Sequence, residues 1–412
     1  MTSVNYSKQN TAFCLELDRI KLLLEKLGNP DKDFFVIHVA GTNGKGSVCA
    51  FLETGLISMG KRCGLFVSPE LFSVEDSIRV SGKAIDANIL KKILRELSKH
   101  SDAVESELGK APSPFEMLFA AALVHFKKEK CTHVVIECGM GGKGDATNAI
   151  GHSNICVFSR IGIDHTGYLG NTLEEITENK CGIIKKGSAV VSAGQELCSE
   201  KIIIEKCREI GSELAFAEEF RISRMDRFNP VVCARFGEVR LSLSGCHQAK
   251  NASVAATVLY QLGASDKNLV HAFTQTTHRA RFEEIERGIY FDGAHNPDGV
   301  RSLVNTLNSA GISEKINFVV GFMADKDISG CLDELKNLNN KDIEFFTATV
   351  ESNPRSESAD RLKLMIEETG FTATECKNVK DAVKTATEND GIVFVFGSLY
   401  MYKELLGGGK GI

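Results

Sequence analysis

The sequence predicts an α/β fold in two domains, a larger N-terminal one on a mainly parallel sheet and a smaller C-terminal one. Three observations predict it. Short β-branched runs alternate with longer amphipathic stretches through most of the chain, which is the pattern of right-handed βαβ units. A glycine-rich loop, Gly41-Thr42-Asn43-Gly44-Lys45-Gly46-Ser47, falls between the first such run and the first long helical stretch. The alternation stops and then resumes, and 412 residues exceed what one hydrophobic core usually organises.

Taken in order, Phe34-Phe35-Val36-Ile37-His38-Val39 reads as a buried strand. Residues 47–59 form the helix after the loop, stopped by Gly60. Residues 63–67 give a strand, 89–97 and 115–126 helices, 132–137 and 155–159 strands, 173–180 a helix and 189–192 a strand. Residues 216–243 have less helical character and resemble a few extra strands, followed by a long helical stretch over 247–262. Strands return at 289–291, 317–320, 344–349 and 392–396. The domain boundary is expected between 278 and 279, giving domains 1–278 and 279–412. The glycine-rich tail, residues 407–411, reads as flexible chain.

Lys plus Arg number 49 against 54 Asp plus Glu, a net charge of −5. That balance argues against an extended nucleic-acid surface, which needs a basic excess. No apolar run approaches the roughly 18–20 residues of a membrane span, and residues 1–30 contain no apolar signal core. The thirteen cysteines are scattered without a Cys-x-x-Cys pair, which fits a reducing compartment better than a disulfide framework or zinc site. A cytoplasmic monomer acting on small molecules is expected, without nucleic-acid or membrane partners.

The loop carries the clearest chemistry. Glycines between a strand and a helix let backbone N–H groups converge on an anion, and the helix N-terminus adds partial positive charge. Lys45 supplies a full charge for the β- and γ-phosphates, and Ser47 a hydroxyl for Mg²⁺. The common form Gly-x4-Gly-Lys-Ser/Thr is not met strictly. Val39 holds the first glycine position, and Gly46 intervenes between Lys45 and Ser47. A glycine turn that serves only the fold is the competing reading. The conjunction of strand, loop, lysine, hydroxyl and helix favours nucleotide binding.

Ala40 to Ser47 resembles the loop of the Mur ligase superfamily, and within it the folylpolyglutamate synthase/dihydrofolate synthase branch. Further segments follow in the family's order: residues 15–20 and 27–30, Gly64 to Pro69, Phe115-Glu116, Glu137 to Gly142, Asp145 to Asn148, and Gly162 to His165. Then come Lys180 to Ile183, Gly245 to Gln248 with Asn251-Ala252, Arg281 to Glu283, Asp292 to Pro297 and Gly397 to Tyr400. Each segment is weak alone; the ordered set spans nearly the whole chain.

The resemblance implies an ATP-dependent, ADP-forming ligase. ATP would phosphorylate a carboxylate of dihydropteroate or a folate, and the amino group of L-glutamate would attack the acyl phosphate. Gly41, Thr42, Asn43, Gly44, Lys45, Gly46, Ser47, Gln248, Asn251, Arg281, Asp292 and His295 are then expected to bind the nucleotide in a cleft between the domains. Ser47, Ser68, Glu137, His165 and Lys180 would hold Mg²⁺, two ions in the family's pattern. Lys45, His165, Lys180 and Arg281 would serve catalysis. A lysine beside a cation is repelled by it, and the resemblance implies that Lys180 is carbamylated, which turns it into an anionic ligand. Ser113, Phe115 and Glu116 would line the pterin site, although Ser113-Pro114 before an apolar run equally suits a helix start.

The sequence departs from the family where the pterin and the hinge are handled. Thr277-His278-Arg279-Ala280 replaces the usual Trp-Pro-Gly before the arginine, Ser68-Pro69-Glu70 stands for Ser-Pro-His, and Gly141-Gly142-Lys143-Gly144-Asp145 for Gly-Gly-Arg-Leu-Asp. A Mur-type ligase for another carboxylate and a non-catalytic ATP-binding regulator are the alternatives. With about 40 residues before the loop, no sugar-nucleotide domain of the cell-wall enzymes is expected.

Overall fold

The computed structural model describes residues 16–407. Leu15 of the first matched segment and the tail beyond Gly407 lie outside the described residues. The chain divides into two compact units. One joins the described residues up to Glu218 with Ser253–Ala272, and the other joins Glu219–Ala252 with Phe273 onward. This division and the expected boundary at 278/279 differ over residues 219–252 and 273–278.

The first unit is organised by an eight-stranded sheet of β1 (Phe35–Ala40), β2 (Cys63–Phe66), β3 (Ile78–Val80), β4 (Lys83–Ala84), β5 (His133–Glu137), β6 (Ile155–Phe158), β7 (Ala189–Ser192) and β8 (Leu214–Phe216). Its order is β4-β3-β2-β5-β1-β6-β7-β8. The six strands from β2 to β8 in that order are parallel. The short hairpin β3–β4 adds an antiparallel edge on β2, which apolar periodicity did not announce. β1 is central and covered on both faces, which explains why Val36, Ile37 and Val39 are all apolar and buried.

The helix Lys45–Ser58 is buried along most of its length, including Val48, Phe51, Leu52 and Leu56. Gly55 lets it meet the helix Gln248–Gln261 closely, since a Cβ there would collide with Leu259. The helix Ala87–Leu108 extends well beyond the expected 89–97. It starts where Asp86 accepts from Asn88 N and Ile89 N and ends at Gly109. The apolar helix Pro114–Lys128 packs Phe119, Leu123 and Phe126 into the core.

The second unit holds two sheets. β9 (Arg221–Asp226), β10 (Asn229–Ala234) and β11 (Gly237–Arg240) form an antiparallel meander, the extra strands expected from residues 216–243. β12 (Glu283–Glu286), β13 (Ile289–Phe291), β14 (Ile316–Val320), β15 (Ile343–Thr347), β16 (Ala373–Glu375) and β17 (Ile392–Phe396) form a sheet of order β12-β13-β17-β14-β15-β16. All its pairings are parallel except β12–β13. Phe228, in the β9–β10 turn, packs against Phe282, Tyr290 and Phe394 at ring separations of 4.9, 4.9 and 5.7 Å. That aromatic cluster ties the meander to the larger sheet of its own unit.

Candidate active site

Parallel strands present their C-terminal ends along one edge, and residues leaving those ends converge. From β1 the chain enters the loop at Gly41, whose φ is +152°, where a Cβ would overlap Ser159 Oγ. Thr42 N and Asn43 N both donate to Arg160 O, at 2.7 and 3.2 Å. The Thr42 hydroxyl donates to Gly162 O at 2.8 Å and accepts from Gly162 N at 3.0 Å. Gly44, at φ +86°, turns the chain into the helix that begins at Lys45. Lys45 Nζ donates to Thr42 O at 3.2 Å, and Ser47 is buried in the first helical turn. The loop is thus clamped to the segment after β6 before any ligand arrives, which lowers the ordering cost of binding an anion.

Lys180 comes from the last turn of the helix Leu173–Cys181, which starts with a Thr172/Glu175 capping box. It is buried, and its Nζ donates to Gly41 O at 2.8 Å. Burial, followed by the nearby charge of Lys45, brings its pKa down to about 7. His165 precedes the short helix Thr166–Leu169 with a left-handed φ of +52°. Its N–H donates to Asp164 Oδ1, and Asp164 Oδ2 lies 3.9 Å from its Nε2. Gly41, Thr42, Lys45, Gly139, Met140, Gly141, Asp164, His165 and Lys180 line one small cavity of about 20 Å³. A larger cavity of about 490 Å³, lined by Phe35, Asn154, Gly187, Glu213 and Gln261, contains none of the expected residues. It opens where β1, β6, β7 and β8 begin, so the chemistry belongs to the smaller one.

Glu137 ends β5 and is buried. Ser68 N donates to Glu137 Oε2 at 3.4 Å, and Ser68 Oγ is buried with no hydrogen-bond partner. An orphaned hydroxyl beside a carboxylate fits a hard cation such as Mg²⁺, which takes few protein oxygens and completes its shell with water and phosphate. No group of three His, Cys, Asp or Glu among the described residues could hold a metal unaided. Lys180 as an ammonium donating to Gly41 O does not fit a second cation.

Ser113, Phe115 and Glu116 open the helix Pro114–Lys128. Ser113 Oγ accepts from Glu116 N at 3.3 Å and Glu116 Oε2 from Ser113 N at 2.6 Å, so the helix-start reading is realised as a capping box. Glu116 is buried and also paired with Arg19 at 3.3 Å. The Phe115 ring lies 5.7 Å from that of Phe66 and touches the backbone at Gly139.

In the second unit, Asp292 accepts from Phe282 N and Ala294 N, each at 2.8 Å. Arg281 lies between Ala280 and Phe282, both at positive φ, and its Nη1 lies against Gly293. His295 Nδ1 is 2.8 Å from Gly293 O, and Asn296 caps the helix Pro297–Ala310. Asp292 and His295 therefore share the turn after β13, and Arg281, which precedes β12, lays its side chain against that turn. Gln248 and Asn251 are buried on the helix Gln248–Gln261, joined by Asn251 Nδ2 donating to Gln248 Oε1 at 2.9 Å. Sequence reasoning gave no separate role to Asp164 or Asp145, although both lie in matched segments. Carboxylates next to glycine turns at strand ends were the signal available. No helix of the described residues is long and apolar enough to cross a membrane.

The chain is similar to known proteins along most of its length. Residues 39–259 match the Mur ligase middle domain, and residues 280–399 match the Mur ligase, glutamate ligase domain. The dihydrofolate synthetase of Saccharomyces cerevisiae is 31% identical over 420 residues, covering 95% of this chain and 97% of that one. Folylpolyglutamate synthase of Mycobacterium tuberculosis, solved with ADP and AMPPCP, superposes with a TM-score of 0.87 at 26% identity, covering 97% of each chain. The bifunctional folylpolyglutamate synthase/dihydrofolate synthase of Yersinia pestis, complexed with AMPPNP and Mn ion, gives 0.82 at 26%, covering 98% of this chain and 95% of that one.

Proposed function

Because this chain belongs to the dihydrofolate synthase/folylpolyglutamate synthase family of Mur ligases, we propose that it uses ATP to join L-glutamate to dihydropteroate, tetrahydrofolate or both. The acceptor carboxylate takes the terminal phosphoryl group and becomes an acyl phosphate. The glutamate nitrogen then attacks the acyl carbon, and phosphate leaves. ADP, phosphate and the extended folate are the products. The observation that carries this reading is the meeting of Lys45, Lys180, Asp164 and His165 with the backbone of Gly41 and Thr42 around one cavity.

In this reading the N–H groups of residues 41–47 cradle the phosphates, and Lys45 neutralises charge that grows as the phosphoryl group moves. Glu137, Ser68 and Ser47 would hold one magnesium ion, and His165 with Lys180, once carbamylated, would hold the second. When bound, magnesium neutralises and orients the transferring phosphate. By the family resemblance, Gln248, Asn251, Arg281, Asp292 and His295 are nucleotide contacts. Lys180 suits carbamylation because its lowered pKa leaves much of the amine neutral near pH 7; the neutral nitrogen adds to CO2 and releases one proton. Phe115, with Ser113 and Glu116, lines the pterin site. The enzyme works as a monomer in the cytoplasm.

A coupled ADP-release assay with L-glutamate, comparing dihydropteroate, tetrahydrofolate and a non-folate carboxylate, tests the assignment. Turnover with a pterin acceptor is expected; turnover with the non-folate acid alone would refute it. ATP binding without glutamate-dependent ADP release would favour the regulator reading. Protein equilibrated with ¹³C-bicarbonate should show a carbamate carbon signal that is absent from Lys180→Ala.

A further inference from the structure

A chain of buried polar side chains runs beneath the site and is not used by the mechanism above. His38, on β1 between Ile37 and Val39, is fully buried where its apolar neighbours need no polar group. Its Nε2 lies 2.9 Å from Thr147 Oγ1 and 3.1 Å from Cys138 Sγ, while its Nδ1 has no hydrogen-bond partner. The Thr147 hydroxyl donates to Asp145 Oδ1, so its oxygen is left to accept from His38 Nε2–H. Asp145 also accepts from Thr147 N at 2.9 Å and, through Oδ2, from Met140 N at 2.7 Å. Burial raises the Asp145 pKa, and the three donors to its carboxylate oppose that rise.

A buried imidazole with one nitrogen unsatisfied carries a desolvation cost that a valine or isoleucine at this position would avoid. Its presence on a buried strand therefore points to the nitrogen that is used. That nitrogen acts through Thr147 on Asp145, and Asp145 sets the turn after Glu137. A Cβ at Gly139 would lie 2.9 Å from Phe115 Cζ and 3.2 Å from Asp145 Oδ2. The turn is thus held between the ring expected to face the pterin and the carboxylate fixed by the relay. Gly139, Met140 and Gly141 of the same turn line the cavity at the phosphate loop.

We propose that His38 is a positioning residue for the acceptor: the relay His38–Thr147–Asp145 fixes the Gly139–Gly141 turn so that the acceptor, resting on Phe115, presents its carboxylate to the phosphate loop. This rests on the reading of Phe115 as part of the acceptor site. The phosphate loop has its own clamps, through Arg160 and Gly162, outside the relay.

Three-substrate kinetics on the full chain test it. His38→Leu and Thr147→Val should each raise the acceptor KM about tenfold, with the ATP and glutamate KM values unmoved. His38→Gln, whose amide N–H reaches the Nε2 position, and Thr147→Ser should restore it. Lower thermal stability with an unchanged acceptor KM, or an equal rise in all three KM values, would make the chain merely structural and overturn the proposal. Should His38→Leu fail to fold, the Thr147 pair decides alone. Ring ¹⁵N shifts of histidine-labelled wild-type protein should show His38 protonated at Nε2 and bare at Nδ1; the opposite tautomer also overturns it. Phe115→Ala is measured alongside. If it leaves the acceptor KM unchanged, the acceptor-site reading fails; if it raises that KM while Thr147→Val does not, only the relay fails.

Discussion

Lys45 and Glu137 differ in how their removal should be felt. Lys45 carries charge at the loop, so Lys45→Ala removes stabilisation that grows as phosphate charge develops, and kcat should fall by at least about a hundredfold. Glu137→Ala should cost a similar factor. In both variants the far-UV spectrum should remain that of the wild type, since neither side chain packs a core; a wild-type rate in either breaks the mechanism. His38 makes a different prediction. Burial, with a smaller contribution from the Lys185 charge, lowers its pKa from 6.5 to about 3. The unfolded chain accepts a proton near pH 6.5 that the folded chain refuses until about pH 3. Stability from this group is therefore intact above pH 6.5 and lost as the pH falls toward 3, with a slope of up to about 1.4 kcal/mol per pH unit. Urea midpoints of wild type and His38→Gln should diverge over that window and run parallel above it. An equal acid sensitivity in the two proteins would show that His38 does not titrate in this way.

At the scale of elements, what the sequence made legible was contiguous. The loop, Glu137 at its strand end and the helix start at Ser113 each reside within a few residues, where glycines, apolar runs and capping residues have local meanings. Strand positions at 189–192, 289–291 and 392–396 coincide with β7, β13 and β17 because β-branched runs bounded by polar residues permit little else. The Arg19–Glu116 pair and the relay from His38 to Thr147, 109 residues away along the chain, had no such signature. Their partners meet only once parallel strands are ordered as β2-β5-β1-β6. The edge hairpin β3–β4 was illegible for another reason: its strands are three and two residues long, too short for a period to show. The helix Pro114–Lys128 carries the test of overlapping readings. Ser113→Ala should lower stability by about 1 kcal/mol through loss of the cap, whereas Ser113→Asn should keep it. If the acceptor KM rises in both variants, the hydroxyl serves substrate as well as the helix; if in neither, Ser113 is a cap alone.

At the scale of the molecule, the division of the chain decides what can be cut away. Residues 219–252 precede the expected boundary at 278/279, and nothing local in their sequence assigns them elsewhere. Their packing does. Phe228 is 2% exposed, and the rings that cover it, Phe282, Tyr290 and Phe394, all come from beyond that boundary. A fragment of residues 1–278 would keep the loop, Glu137 and Lys180 with their sheet but strip Phe228 of these neighbours, a loss of about 2 kcal/mol for this one ring. The meander β9–β11 should then open, because a small antiparallel sheet without a covered face is marginal. Arg221, Arg224, Arg227, Arg235 and Arg240 all lie in this segment, so trypsin reads the outcome directly. Cleavage at these arginines should be much faster in the fragment than in the full chain, while the region around the phosphate loop stays protected. Equal protection in both would mean that residues 219–252 fold with the N-terminal part, and that the aromatic cluster contributes little to holding them.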